Sequence, residues 1–457
     1  MLINKLKLHA TWIKIFRPFN LVVVSMLFST HLSAQTQHSA VPKHPVQQAV
    51  ERDYPKNLEP LFKHFHKNPE LSFREFKTAK RLAKELRQLG VKVTEGVGGT
   101  GIVGIYENGS GPTVLVRADM DGLPVKEDSG LKYASQMTQK DINGKEMPVM
   151  HACGHDMHMT ALVGTARQLI AHKKQWQGRL MLIGQPAEER LGGAKAMLAD
   201  GLYEKFGVPD YALSLHVSSG IPAGKIIMQP KLAYSSADNI DITFFGVGAH
   251  GASPHQSVDP ILLASNFVID IQSIISRNIN PLEAGVITVG SFHGGFKHNI
   301  IPDKVKLELT VRANNEAVRA QLLASIRRIA KGVAITAGLP DSHFPQIDVI
   351  ESTPVTNNNP SLVTRLKHAI SNALGEEILI ERQNKGMGAE DFAYFTQTEH
   401  QVPGAYFNVG GQPTMDNGVN QPVPAHHSPF FKIEPQSSLI NGVSAMTIAV
   451  LELLKTQ

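Results

Sequence analysis

Apolar residues recur along the chain with two periods, and the alternation between them sets the expected fold. The first clear helical stripe is Phe76, Ala79, Leu82, Ala83, Leu86 and Leu89, spaced for one face of a helix. Ser72 and Glu75 ahead of it have the spacing of a capping box, and Gly90 stands where a helix stop is expected. Short apolar strands follow at 91–94, 102–106 and 113–117. The turn residues Asn108-Gly109-Ser110-Gly111-Pro112 predict a hairpin between the last two. A helix is expected over 157–172 and strands over 179–184 and 211–215.

From 238 the pattern changes. Strand 238–247, helix 259–277, strands 285–292 and 304–312, helix 315–337 and strand 346–350 follow in the order of a ferredoxin-like split βαβ unit. The last third returns to α/β character and ends in a helix near 434–455. The fold class expected is therefore α/β. A mixed-sheet catalytic domain is built from 49–237 and 351–457, with a ferredoxin-like α+β domain inserted at 238–350. A length of 457 residues also favours two cores.

The ends of the apolar strands carry the chemistry. Met150-His151-Ala152-Cys153-Gly154-His155-Asp156-Met157-His158 places the only cysteine among three histidines and an aspartate. A lone cysteine is ordinarily a small buried hydrophobe, but thiolate and imidazole crowded together are ligands for transition metals, zinc above all. Strand 179–184 delivers Gln185-Pro186-Ala187-Glu188-Glu189, two adjacent carboxylates. The combination suggests a metal-activated hydrolase, with one glutamate on the metal and one on the attacking water. A Cys-His nucleophile pair is the competing reading, and it leaves both glutamates without a role.

Charge narrows the picture. The formal charge is +5, but residues 1–34 hold Lys5, Lys7, Lys14 and Arg17 and no acid, so the remainder carries only +1. Nucleic acid is not an expected partner. The same 34 residues run from basic to apolar (Leu21 to Phe28) to small, the order of a signal peptide, so export to a periplasm or medium is expected. Residues 35–48 read as a polar linker. One cysteine allows no disulfide within the chain.

Eight motifs together resemble a known family. They are His66-Lys67-Asn68-Pro69-Glu70-Leu71-Ser72-Phe73, Arg117-Ala118-Asp119-Met120-Asp121, the Cys153 cluster and Gln185-Pro186-Ala187-Glu188-Glu189. Gly248-Ala249-His250-Gly251-Ala252-Ser253-Pro254-His255, His298-Asn299-Ile300-Ile301-Pro302, Met387-Gly388-Ala389-Glu390-Asp391-Phe392 and His427-Ser428-Pro429 complete the set. From about residue 58 onward the chain resembles the metal-dependent aminoacylase, hippurate hydrolase and indole-acetyl-amino-acid hydrolase family.

The resemblance implies hydrolysis of the amide bond of N-acyl amino acids, releasing a carboxylic acid and a free amino acid. It implies two divalent ions per subunit (Zn, Mn, Ni or Co) held by Cys153, His155, Glu189, His216 and His427, with Glu188 as general base. His427, rather than its neighbour His426, is in register with the motif. Asp119, Asp121, Asp156 and His158 are expected to orient the ligands. The inserted domain would be a lid and dimerisation domain whose His250 stabilises the oxyanion in the partner subunit. Asn299, Arg312 and the backbone near Gly388 are candidates for binding the substrate. Arg190 and Leu191 depart from the glycine common in the family after the second glutamate, which bears on pocket shape. The alternatives are a dipeptidase or carboxypeptidase on the same scaffold, or an exported metal-binding dimer without catalysis.

Overall fold

The computed structural model describes residues 43–381, 386–413 and 423–455. The expected signal peptide, 1–34, lies outside them, as does most of the expected linker. Its last residues are a correction: the helix Pro45–Asp53 starts inside 35–48, because Pro45 suits the first turn and Val46 and Val50 are buried against the main core. Among the described residues no helix is long and apolar enough to cross a membrane.

A seven-stranded sheet forms the larger body. Its order is Lys92–Val97, Gly101–Asn108, Gly178–Gln185, Thr113–Asp119, Tyr211–Pro222, Gly404–Gln412 and Ile226–Ile227. The middle four strands are mutually parallel. They are apolar on both faces because helices cover both sides. The expected hairpin between Gly101–Asn108 and Thr113–Asp119 does not form. Gly101–Asn108 pairs antiparallel with Lys92–Val97 on one side and with Gly178–Gln185 on the other. Gly178–Gln185 thus lies between the two strands that the glycine-rich turn connects.

Helices His155–Ala171 and Pro435–Leu453 are buried on nearly every face and lie under the parallel strands. The capping box is a second correction. The helix starts at Phe76 with no side-chain cap. Ser72 donates to Asp121 at 2.6 Å instead, and the fully buried Glu75 accepts from Thr100 and from the Ala187 amide.

Residues 236–353 build a second sheet with its own core. The order is Gly285–Gly294, Lys304–Ala313, Ser236–Phe245 and Gln346–Thr353, all antiparallel. Helices Pro260–Asp270 and Glu316–Thr336 cover one face, enclosing Ile242, Phe244, Phe267, Leu307, Val311 and Leu322. Alternation along Lys304–Ala313 buries Val311 and Ala313 under the helices and turns Arg312 to the opposite face.

Candidate metal centre

The site lies where the parallel strands end, the usual place for ligands in such sheets. Asp119 and Asp121 leave Thr113–Asp119, Glu188 and Glu189 follow Gly178–Gln185, and His216 lies within Tyr211–Pro222. Cys153 and His155 flank Gly154 at the start of His155–Ala171. Gly154 takes φ +89°, and a Cβ there would come within 2.3 Å of Val217 Cγ1. Glycine is therefore required for thiol and imidazole to face the same space.

Six of the expected residues converge. Cys153 Sγ is 3.4 Å from His216 Nε2, and His427 Nε2 is 3.3 Å from Glu189 Oε2. His155 Nε2 is 3.8 Å from both Glu188 Oε2 and Glu189 Oε1. Donor atoms of Cys153, His155 and His216, of Cys153, Glu189 and His427, and of His155, Glu188 and Glu189 each lie within 4.8 Å of one another. His426 is beside them, but its ring packs against Phe431 and His216. His427 adopts φ +65° in reaching Glu189.

The surroundings fix these side chains. His155 Nδ1 is 2.8 Å from the Asp121 carbonyl, which leaves Nε2 facing inward. His216 Nδ1 is likewise tied to the Val217 carbonyl at 2.6 Å. His158 is spent elsewhere: Nδ1 meets Asp119 at 2.6 Å and Nε2 accepts from the Val217 amide. Asp121 accepts from the amides of both Glu188 and Glu189 at 3.1 Å. These two residues form a tight turn entered through Ala187 at φ +48° and left through Leu191 at φ +50°.

This donor set fits divalent metal ions. His155 Nε2 and Glu189 Oε1 are buried with no hydrogen-bond partner among the described residues, although each faces the cluster. Such orphans are costly unless something pairs with them. Burial, then Glu390 and Glu189, push Glu188 well above the usual carboxylate range, and burial pushes Glu189 to about 8. Burial, then Glu189 and Glu188, push the Cys153 thiol up, which disfavours a free thiolate nucleophile. Cations in the cluster would relieve all three.

Arg117, Glu390 and Asp391 belong to motifs named from the sequence, but the sequence alone assigns them no role. Arg117 is fully buried and bonds Asp119 at 2.8 Å, Gln185 at 2.8 Å and Glu390 at 2.7 Å. Asp391 accepts from Gln185 at 2.6 Å and from the Ala194 amide at 3.0 Å. The signal was present: an arginine ending the apolar run Val114-Leu115-Val116 must meet buried carboxylates, and Glu390-Asp391 is a second tandem acid pair.

A cavity of about 710 Å³ opens from the cluster and reaches the second sheet. Gly388, Leu191 and Arg312 line it. Arg312 bonds only Thr310, at 3.2 Å, and no carboxylate within the described residues pairs with it. His250 and Asn299 do not line this cavity. His250 is exposed in a separate concavity on the second sheet, and Asn299 Oδ1 is buried without a partner.

Comparison with known proteins agrees with the geometry. Residues 115–452 match Peptidase family M20/M25/M40. The hippurate hydrolase of Campylobacter jejuni is 37% identical over 351 residues, covering 76% of this chain and 86% of the relative. Thermostable carboxypeptidase 2 of Saccharolobus solfataricus is 38% identical over 372 residues, covering 80% and 88%. The fold matches the crystal structure of the Bacillus subtilis YXEP protein, a dinuclear metal binding peptidase from M20 family. Its TM-score is 0.70 at 24% identity, over 90% of this chain and 100% of that one.

Proposed function

The chain belongs to Peptidase family M20/M25/M40, and from that membership we propose that it hydrolyses N-acyl amino acids through Glu188 and a pair of divalent ions. It is a metal-dependent amidohydrolase with a small-molecule substrate. The observation that carries the reading is the convergence of Cys153, His155, Glu189, His216 and His427 around Glu188, with two buried donor atoms left unpaired. We assign those five as the ligands; zinc, manganese, nickel and cobalt all suit a set of thiolate, imidazole and carboxylate.

Bound divalent ions polarise the scissile carbonyl and lower the pKa of water. Glu188 takes the proton of the attacking water and delivers it to the leaving amine. Glu188 is buried beside the five ligand residues, with Oε2 3.8 Å from His155 Nε2, so one carboxylate is placed to serve both proton transfers. Arg312, without a carboxylate partner among the described residues, binds the substrate α-carboxylate from the lid side, and Gly388 lines the same cavity. Asp121 holds the Glu188–Glu189 turn and His155 at once, so ligand and base keep a common frame.

His250 lies outside the cavity of its own subunit. We assign it, with Asn299, to the oxyanion of a partner subunit in a homodimer built through the lid. The strand Gly285–Gly294 supports this, since among the described residues it pairs on one side only. Exposed Leu262, Ile269 and Phe292 accompany it. The N-terminal 34 residues support export to a periplasm or medium.

The test is a panel of N-benzoyl, N-acetyl and free-amine dipeptide substrates, assayed after chelation and reloading with each metal. Activity on the N-acyl compounds that vanishes with chelator and returns with metal is expected. Preference for free-amine dipeptides would favour the dipeptidase reading. Arg312→Ala should raise KM about tenfold or more with little change in kcat, because it removes a charged ground-state contact.

A further inference from the structure

One polar pair in the substrate cavity has no part in the mechanism above. Tyr234 and Asn408 both line the cavity, and the Tyr234 hydroxyl donates to Asn408 Oδ1 at 3.0 Å. We propose that Asn408, clamped by Tyr234, selects the substrate's acyl group by donating from Nδ2 to an acceptor atom on that group. The inference rests on the amidohydrolase reading and narrows its substrate class to acyl groups with a hydrogen-bond acceptor near the scissile carbonyl.

Position comes first. Asn408 is the register partner of His216 on the neighbouring parallel strand and of Ile227 on its other side. It therefore stands next to the metal cluster, where the scissile carbonyl must lie. Leu191, Ile221, Ile227, Leu232 and Met387 line the cavity together with polar Ser218, Gln229 and Asn358. Asn358 spends its carboxamide on the Gln229 and Tyr406 carbonyls and the Tyr406 amide, which leaves Asn408 to meet a ligand.

Orientation comes second. Tyr234 is wedged edge-on against Tyr406, ring centroids 5.1 Å apart, and Tyr406 is anchored by its 2.6 Å bond to Glu390. The Tyr234 phenol is an O–H donor at neutral pH, and its bond to Asn408 Oδ1 uses that donor. A donor aimed at the carboxamide oxygen fixes which end of Asn408 is which. Nδ2 is left with no partner among the described residues, on a side chain that lines the cavity. Arg312, on the second sheet, already suits the α-carboxylate, so the acyl side is what remains for Asn408 on the larger sheet to meet.

The test uses matched substrates of one amino acid, N-butanoyl and N-methoxyacetyl, in which an ether oxygen replaces a methylene. The ratio of their kcat/KM values is compared between the parent and variants, so the intrinsic reactivity of each substrate cancels. Asn408→Leu should lower the methoxyacetyl-to-butanoyl ratio about tenfold, the scale of one good hydrogen bond. Asn408→Asp keeps the size and turns the donor into an acceptor, so it should lower the ratio at least as far. Tyr234→Phe should lower it less, because the donor survives without its clamp. Metal content is measured in each variant to verify an intact site. A ratio unchanged within twofold, or an equal loss on both substrates, overturns the proposal; the second result would instead make Asn408 a contact to the carboxylate or the oxyanion. If the metal-loaded parent hydrolyses neither compound nor any N-acyl amino acid, the amidohydrolase reading itself falls. A parent that is active but whose ratio does not move sinks the acyl contact alone.

Discussion

Asp121→Asn tests how far the metal centre depends on a residue that supplies no ligand. The Asp121 carboxylate accepts from the Glu188 amide through Oδ1 and from the Glu189 amide and Ser72 hydroxyl through Oδ2. Burial alone would raise its pKa, but bonds from His155 and Ser72 hold it below the usual carboxylate range, so the native group is charged. Asparagine has nearly the same shape and cannot satisfy both sides. Whichever way its amide is turned, the NH₂ faces one of two backbone N–H groups, and one of those donors is orphaned. A hydrogen bond to a charged group contributes about 1.5–3 kcal/mol, which is roughly a 10- to 150-fold change in an equilibrium constant. Loss of an outer contact to a metal site ordinarily lowers affinity about 10–100-fold, so the two figures agree. Chelator-competition titration should show metal binding weakened by that factor, with kcat at saturating metal recovering much further than activity at limiting metal. Unchanged metal affinity, with the whole effect appearing as a lower Tm of the metal-free protein, would refute the reasoning. Asp121 would then be an ordinary turn cap.

Glu188→Gln should retain both metals by elemental analysis and lose about 10²–10⁴-fold in kcat, because the base and the acid are the same group; near-normal turnover would remove Glu188 from the mechanism. His66→Asn probes a buried ion triad in which His66 meets Asp156 at 2.7 Å and Glu127 at 3.0 Å. Burial would lower the His66 pKa, but the two carboxylates outweigh it and raise it to about 9. A raised folded-state pKa stabilises fully below the unfolded value near 6.5 and loses that stabilisation as pH rises through 9. The Tm gap between parent and His66→Asn should thus be largest at pH 6 and shrink by pH 9.5, and a gap that does not vary with pH would count against a charged His66. Co-expressed His250→Ala and Glu188→Gln chains should recover activity in heterodimers of verified mass, each having one intact composite site. No recovery would confine His250 to its own subunit or to the lid.

Much of this architecture could be read before any coordinates. The apolar runs at 113–117, 179–184 and 211–215 became the parallel strands because burial on both faces demands unbroken apolar sequence. Strand neighbours were less accessible, since Asn108 to Pro112 has hairpin chemistry and yet Gly178–Gln185, about 70 residues on, takes the place between. Glu75 misled for a related reason. Its spacing from Ser72 is that of a cap, but its carboxylate is drawn inward to Thr100 and the Ala187 amide, partners that only the tertiary fold supplies. The Cys153, His155 and Glu188 cluster was legible because ligand types crowd in sequence. The pairing of Arg117 with Glu390 was not, because their bond spans 273 residues. Asn408 escaped because an asparagine in an apolar strand carries no motif.

That span of 273 residues also sets a timetable for synthesis. Arg117 is made long before Glu390, and the strand Gly404–Gln412, which pairs with Tyr211–Pro222, comes later still. At a translation rate of about 5–20 residues per second, the buried guanidinium waits roughly 14–55 s for its main carboxylate. Through that interval the parallel sheet has an open edge, and a cation meant for the interior is still in water. The first half of the larger body cannot close around its metal ligands until the lid has been made and the chain has returned. Assembly of the catalytic centre is thereby a late event in the life of the nascent chain, and the segment before residue 222 is the stretch that a chaperone would have to shelter.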